Sequence, residues 1–331
     1  MKKIALILLA FISLQIISLS CRKEQDDDET NVNRSYRQDM RDFVIGISKY
    51  TKAINSKFII IPQNGQELIT DNGEGNGKAE LDYLSAIDAT GRESMFYGYY
   101  NDDEITPQED KEHLLNLCIT CEKYNVEVLA TDYCYTQSKM DDSYSLNSQY
   151  NFISFAANQR ELNNIPDYPT PIYNENSNDI TAISEAKNFL YLINSENYSS
   201  KQDLIDAVAA TNYDAIIIDL CHNETAYTLS EIQNLKIKNN GAKRLVICYM
   251  SIGEAEDYRY YWQPDWNTNK PSWLDRENPE WAGNYKVKYW DKDWQAIIYG
   301  NNDSYVKKII DAGFDGVYLD IIDGFEYFEE K

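Results

Sequence analysis

Histidine is nearly missing from this chain. Of 331 residues, only His113 and His222 carry an imidazole. Structural zinc centres and Ser-His-Asp triads both draw on histidine, so no metal site and no such triad is expected. Cysteine is sparse too. Beyond Cys21 there are Cys118, Cys121, Cys134, Cys221 and Cys248, an odd number at irregular spacing and a poor disulfide framework. Cys118 and Cys121 have C-x-x-C spacing. They sit in a helical pattern with no second ligand pair, and read as core residues. Positive charge is also short: 31 basic residues stand against 54 acidic ones, for a net charge of −23. Nucleic acid is excluded as a partner, because binding it needs a basic footprint. A neutral or cationic ligand suits the field better. No motif asks for a cofactor, and a monomer is expected.

A membrane-length apolar run is lacking as well. The longest, Ile4 to Leu19, follows Lys2 and Lys3 and stands at the very start of the chain. That is the layout of a secretory signal rather than of a span. Ser18-Leu19-Ser20-Cys21 follows and resembles a bacterial lipoprotein cleavage site, with Ser18 where leucine is commoner. The expected organisation is a signal peptide over residues 1–20, an acidic tether over 21–34 and one domain over 35–331. Cys21 is then the lipidated residue. The protein is expected at the bacterial cell envelope, held by acyl chains at the outer membrane or cell surface.

What the chain does have is short hydrophobic runs that end on aspartate. Four stand out: Tyr83–Asp88, Val126–Asp132, Tyr213–Asp219 and Phe314–Asp320. Each reads as a strand buried on both faces, as in a parallel sheet covered by helices. In such sheets the strand C-terminal ends share one face, where chemistry collects. Further strands are expected at Phe58–Pro62, Phe152–Ala157, Phe189–Ile193 and Arg244–Tyr249. Helices are expected at Tyr36–Asn55, Glu109–Asn125, Lys201–Ala210, Thr228–Lys238 and Asn302–Ala312. Eight strands that mostly alternate with helices predict an α/β fold, a (β/α)8 TIM barrel. The chain starts with a helix and stops shortly after a strand. In a closed barrel the first and last strands are neighbours, so the Asp320 strand should pair beside Phe58–Pro62.

Several segments carry a resemblance. They are Tyr249–Arg259, Glu277–Trp281, Val287–Asp291 and Gly313–Asp323. Together they resemble the glycoside hydrolase family 114 superfamily, the endo-α-1,4-polygalactosaminidases and their bacterial relatives. The segments Pro62–Gly65 and Ala86–Glu93 match as well, but ahead of the others rather than behind them. The resemblance thus implies a circularly permuted TIM barrel that begins with a helix and ends on a barrel strand. It also implies a hydrolase of an α-linked polysaccharide, with an amino-sugar, polygalactosamine-like polymer as the substrate class.

Glycoside hydrolysis usually uses two carboxyl groups, one protonated and one ionised. Crowding them raises the pKa of one, so both roles operate near neutral pH. The resemblance points to Asp320 and Glu93 as this pair, with Glu93 expected as acid/base and Asp320 as nucleophile or water activator. Asp219, Glu254, Glu256, Asp132 and Asp323 are candidates for sugar hydroxyls or a cationic amino group, and Asn64 for a hydroxyl. Arg259 is expected to hold a carboxylate in a bidentate pair. Tyr249 and Trp290 are candidate stacking walls. A glycan-binding lipoprotein that has lost catalysis is the alternative. A carbohydrate esterase or deacetylase is disfavoured by the scarcity of histidine and the absence of a Gly-x-Ser-x-Gly elbow.

Overall fold

The computed structural model describes residues 34–331. The segment expected as a signal peptide, Cys21 and nearly all of the expected tether lie outside them. Tyr36–Lys331 form one compact unit. Apart from a two-residue hairpin, Cys221–His222 with Thr225–Ala226, its strands, in chain order, are β1 (Ile59–Pro62), β2 (Ala89–Glu93), β3 (Glu127–Tyr133), β4 (Ile153–Ala157), β5 (Phe189–Tyr191), β6 (Ala215–Asp219), β7 (Leu245–Ser251), β8 (Glu254–Glu256), β9 (Leu274–Glu277), β10 (Asn284–Val287) and β11 (Gly316–Asp320). The helices are α1 (Tyr36–Ile54), α2 (Leu81–Leu84), α3 (Gln108–Lys123), α4 (Gln137–Ser148), α5 (Lys201–Ala209), α6 (Leu229–Leu235), α7 (Lys292–Ile298), α8 (Tyr305–Ala312) and α9 (Gly324–Glu329). Among the described residues no helix is long and apolar enough to cross a membrane.

Eight of the strands are parallel and fall into two sheets. One runs β1-β11-β7-β6-β5 and the other β2-β3-β4. The pairing expected across the chain is present: Ile59 stands opposite Gly316 and Pro62 opposite Leu319. Just beyond β1 the two sheets meet at a parallel bridge between Gln63 and Gly91, the middle residue of β2. Asp88 N donates to Ile60 O and Asn64 N to Gly91 O, at 2.9 and 2.8 Å. No ladder joins β4 to β5 among the described residues; Phe155 and Phe189 pack across that gap at 5.7 Å. A small antiparallel sheet, β8-β10-β9, is built from the chain that follows β7.

Local chemistry accounts for these elements. Helix α1 buries Met40, Phe43, Val44 and Ile47, one stripe at helical spacing. Thr228 and Glu231 cap α6 reciprocally: Thr228 Oγ1 accepts from Glu231 N, and Glu231 Oε2 accepts from Thr228 N. Gly313 ends α8 at φ 91°, a left-handed position that glycine takes without a Cβ penalty.

Two expectations are corrected here. Tyr83–Asp88 is not a strand: Leu81–Leu84 is a helical turn, and the strand runs from Ala89 to Glu93. Asp88 therefore lies at the entry end of the sheet, where its Oδ2 accepts from Ile60 N and its carboxylate pairs with Lys52. The chain also does not finish on β11, because the six residues of α9 follow.

Candidate active site

Parallel strands put their C-terminal ends on one face, and two carboxylates stand there. Asp320 is the last residue of β11 and Glu93 the last of β2. The residue after each is left-handed: Ile321 at φ 60° and Ser94 at φ 56°. A β-branched residue rarely adopts this conformation, and such strain collects at functional sites.

Asp320 is tightly enclosed. Tyr249 Oη donates to its Oδ2 at 2.5 Å, and Ile321 N donates to its Oδ1 at 2.8 Å. Burial pushes its pKa up to about 7, against the Tyr249 bond, with the charges of Glu93 and Asp323 adding to the rise. Glu93 is clamped from two strands. Asn64 Nδ2 donates to its Oε2 at 3.0 Å, and Glu93 N donates back to Asn64 Oδ1 at 3.2 Å. The Tyr133 phenol donates to Oε1. Asn64 is thus occupied with Glu93. Asp323, just beyond β11, is raised to about 6 by burial; Arg92 and Lys286 oppose the rise and Glu93 adds to it.

The floor beneath is aromatic. Tyr318 precedes Asp320 by two residues and so shares its side of the strand. It is fully buried, packs on Tyr191 at 5.1 Å, and its hydroxyl has no partner among the described residues. Gly91 leaves the space this phenol occupies, for a Cβ there would collide with it. Tyr191 Oη donates to Gln63 Oε1 at 2.8 Å.

Beside this pair lies an ion cluster. Arg259 reaches Asp219, the last residue of β6, with Nη1 at 2.8 Å and Nη2 at 2.7 Å. Its Nε donates to Glu256 Oε2 at 2.6 Å, and Tyr258 Oη donates to Glu256 Oε1 at 2.6 Å. The bidentate role expected of Arg259 is present, shared between two carboxylates. Glu254 is fully buried; its Oε1 meets Lys286 at 2.6 Å and Asn278 Nδ2 at 2.9 Å, while Oε2 has no partner among the described residues.

Two expected residues stand elsewhere. Asp132 is fully buried and faces away from Glu93. It accepts from Phe96 N, Tyr97 N, Ser143 Oγ and Asn147 Nδ2, so it anchors α4 and a loop. Strand alternation turns the next residue, Tyr133, inward. Trp290 packs among Tyr36 at 5.1 Å, Tyr289 at 5.0 Å and Phe328 at 4.7 Å, joining α1 to α9. Tyr133, Arg92 and Lys286 were not foreseen. The alternation along β3 was the available signal for Tyr133. Lys286 had none, since only the β8-β10 ladder, which sets it opposite Glu254, brings it in.

Residues 172–331 match the model of glycoside-hydrolase family GH114. An uncharacterized protein of Methanocaldococcus jannaschii, MJ1477, is 44% identical over 47% of this chain and 43% of its own length. Uncharacterized proteins of Thermotoga maritima and Deinococcus radiodurans are 39% and 35% identical, over 38% and 39% of this chain and 37% and 40% of their own lengths. The chain therefore spans less than half the length of these relatives. A crystal structure of Aspergillus fumigatus Ega3 in complex with galactosamine is 24% identical over 42% of this chain and 44% of that one, with a TM-score of 0.27. The match contains Asp219, Glu254, Glu256, Arg259 and Asp320 but not Glu93 or Asn64. Over residues 172–331, just under half of its length, this chain is similar to glycoside-hydrolase family GH114.

Proposed function

We propose that the protein is a glycoside hydrolase that cleaves an α-linked polysaccharide, with an amino-sugar polymer of the polygalactosamine type as the substrate class. One observation carries the reading. Asp320 and Glu93 end two parallel strands on one face, and Asp320 is raised to about 7 by burial and by the charge of Glu93. Such a pair holds one proton near neutral pH, as cleavage of a glycosidic bond requires. Asp320 is then the general acid, and Glu93, held by Asn64 and Tyr133, is the nucleophile or water activator. These roles are the reverse of those expected from the sequence. The family match over residues 172–331 supports the reaction class.

The same reading takes the eight parallel strands as one closed barrel, permuted relative to the family and opened after β11. The β1–β11 ladder and the Gln63–Gly91 bridge support closure. The confinement of the match to the second half of the chain supports the permutation. It also includes acylation at Cys21 and a place at the cell envelope, facing outward. Mass spectrometry of the membrane fraction tests the anchor, and an unmodified Cys21 removes it.

The deciding experiment is reducing-end release from a glycan panel that includes de-N-acetylated galactosamine polymer. Asp320→Asn and Glu93→Gln should each lower turnover by about 10²–10⁴-fold while ligand affinity is kept. Binding without cleavage by the unaltered protein would replace the hydrolase with a glycan-binding protein. Cleavage that survives both substitutions would displace the two residues.

A further inference from the structure

A concavity apart from the carboxylate pair opens between the chain that follows β8 and the start of α8. Its volume is ≈ 520 Å³, and Tyr260, Gln263, Trp266, Asn301, Asp303 and Lys308 line it. The buried ring of Tyr305, first residue of α8, stands between this pocket and the ion cluster: Arg259 lies 5.8 Å from that ring and Tyr260 lies 5.7 Å from it.

The lining combines aromatic rings with free polar groups. Tyr260 is 49% exposed, yet its ring is fixed edge-on against Tyr261 and Tyr305. Trp266 is partly exposed and is held edge-on by Trp262 and Trp273. Both rings are rigid before any ligand arrives, which reduces the ordering cost of binding. Gln263 Nε2 donates to Tyr261 O at 3.1 Å, which leaves Oε1 to accept. Asn301 sets the loop by accepting from Asp303 N at 2.9 Å. Among the described residues neither the Asp303 carboxylate nor the Lys308 ammonium takes part in a hydrogen bond or ion pair; the ammonium lies 4.8 Å from the centre of the Tyr260 ring.

Rigid rings beside an unpaired carboxylate, an amide oxygen and an ammonium suit a ligand with apolar C–H faces and many hydroxyl or amino groups. An anionic ligand is disfavoured by the net charge of −23. We propose that this pocket is a second glycan site. It holds one neutral or amino-bearing pyranose unit of the polymer, remote from the bond cut between Asp320 and Glu93. The inference rests on the hydrolase reading only for which polymer is held.

The test uses the Asp320→Asn/Glu93→Gln double variant, which removes turnover from the measurement. De-N-acetylated galactosamine polymer and the rest of the glycan panel are titrated against it, with tryptophan fluorescence and retention in glycan-loaded gels as readouts. Adding Tyr260→Ala or Asp303→Ala should weaken polymer retention about three- to tenfold. The same two changes in the otherwise unaltered protein should leave cleavage of short oligosaccharides intact and slow that of the polymer. Asp303 makes no side-chain contact that folding needs, so its variant stands even if Tyr260→Ala misfolds. Unchanged retention in Asp303→Ala and in a folded Tyr260→Ala overturns the site, and so does a panel in which no glycan binds the double variant. An unaltered protein that binds through Tyr260 and Asp303 but cleaves nothing keeps the site and removes the hydrolase.

Discussion

Tyr249 and Asp320 meet across neighbouring parallel strands, with the phenol donating to the carboxylate at 2.5 Å. The bond favours the ionised carboxylate, and so works against the burial that raises Asp320 to about 7. Tyr249→Phe removes this donor and leaves the burial. The pH limb of kcat/KM that reports Asp320 should then move upward by roughly one unit. A limb that stays in place would assign it to another group.

Stability should depend on pH through the same carboxyls. Asp320, Asp323 and Glu122 are raised by burial, to about 7, 6 and 7. A raised carboxyl contributes stability that is complete below its unfolded value near 4 and is lost as pH climbs through its folded value. Asp103 behaves in the opposite sense. Burial raises it, but bonds from Thr136, Lys139 and Tyr135 outweigh burial and hold it at about 2, so its contribution is lost as pH falls from 4 towards 2. The expected outcome is a higher Tm at pH 5 than at pH 8 by scanning calorimetry. Asp320→Asn should narrow the difference and stabilise the protein at pH 8 by on the order of 1 kcal/mol. A Tm that rises from pH 5 to pH 8 would contradict this.

Arg259 neutralises two carboxylates that are otherwise buried together. It is 10% exposed, against 13% for Asp219 and 2% for Glu256. Arg259→Ala strands both charges and should cost about 3–5 kcal/mol in urea unfolding. Arg259→Lys cannot reproduce the fork and should recover only part of that.

Ile321 carries strain at the residue that also fixes Asp320. Its φ of 60° costs an isoleucine roughly 1–3 kcal/mol. Ile321→Gly relieves the strain and loosens the N–H that holds Oδ1 of Asp320. Thermal stability should rise or hold while kcat falls. A parallel loss of both would show that the isoleucine side chain, rather than its backbone, matters at this position.

The strand-and-helix alternation was legible because most of these strands are continuous apolar runs. The segment before Glu93 misled for the same reason. Tyr83, Leu84 and Ile87 are buried apolar residues, but they belong to a helical turn and its exit. The true strand, Ala-Thr-Gly-Arg-Glu, has small and polar residues because Gly91 must make way for Tyr318. Helix α4 escaped notice because two of its buried positions, Ser143 and Asn147, are polar and bind Asp132. The apolar stripe that marks other helices is replaced there by partners for a buried charge. Asp219 and Asp320 do end strands on the shared face. Asp132 shows what the count of aspartates hides: a shift of one residue along a strand sends the side chain to the opposite side.

The ladder between β1 and β11 sets a timetable for synthesis. Strand β1 is made well before the partner paired along its full length, with β2 to β10 between them in the chain. Until β11 emerges, Phe58–Ile61 present an apolar edge with unfilled hydrogen bonds, and so does the β7 edge that β11 will also occupy. Helical and local contacts can form early, but the central five-stranded sheet is completed only when β11 slides between two strands made before it. A chain arranged in this way depends on protection of its unfinished intermediate, and the acidic composition, which keeps such intermediates apart, provides a part of it.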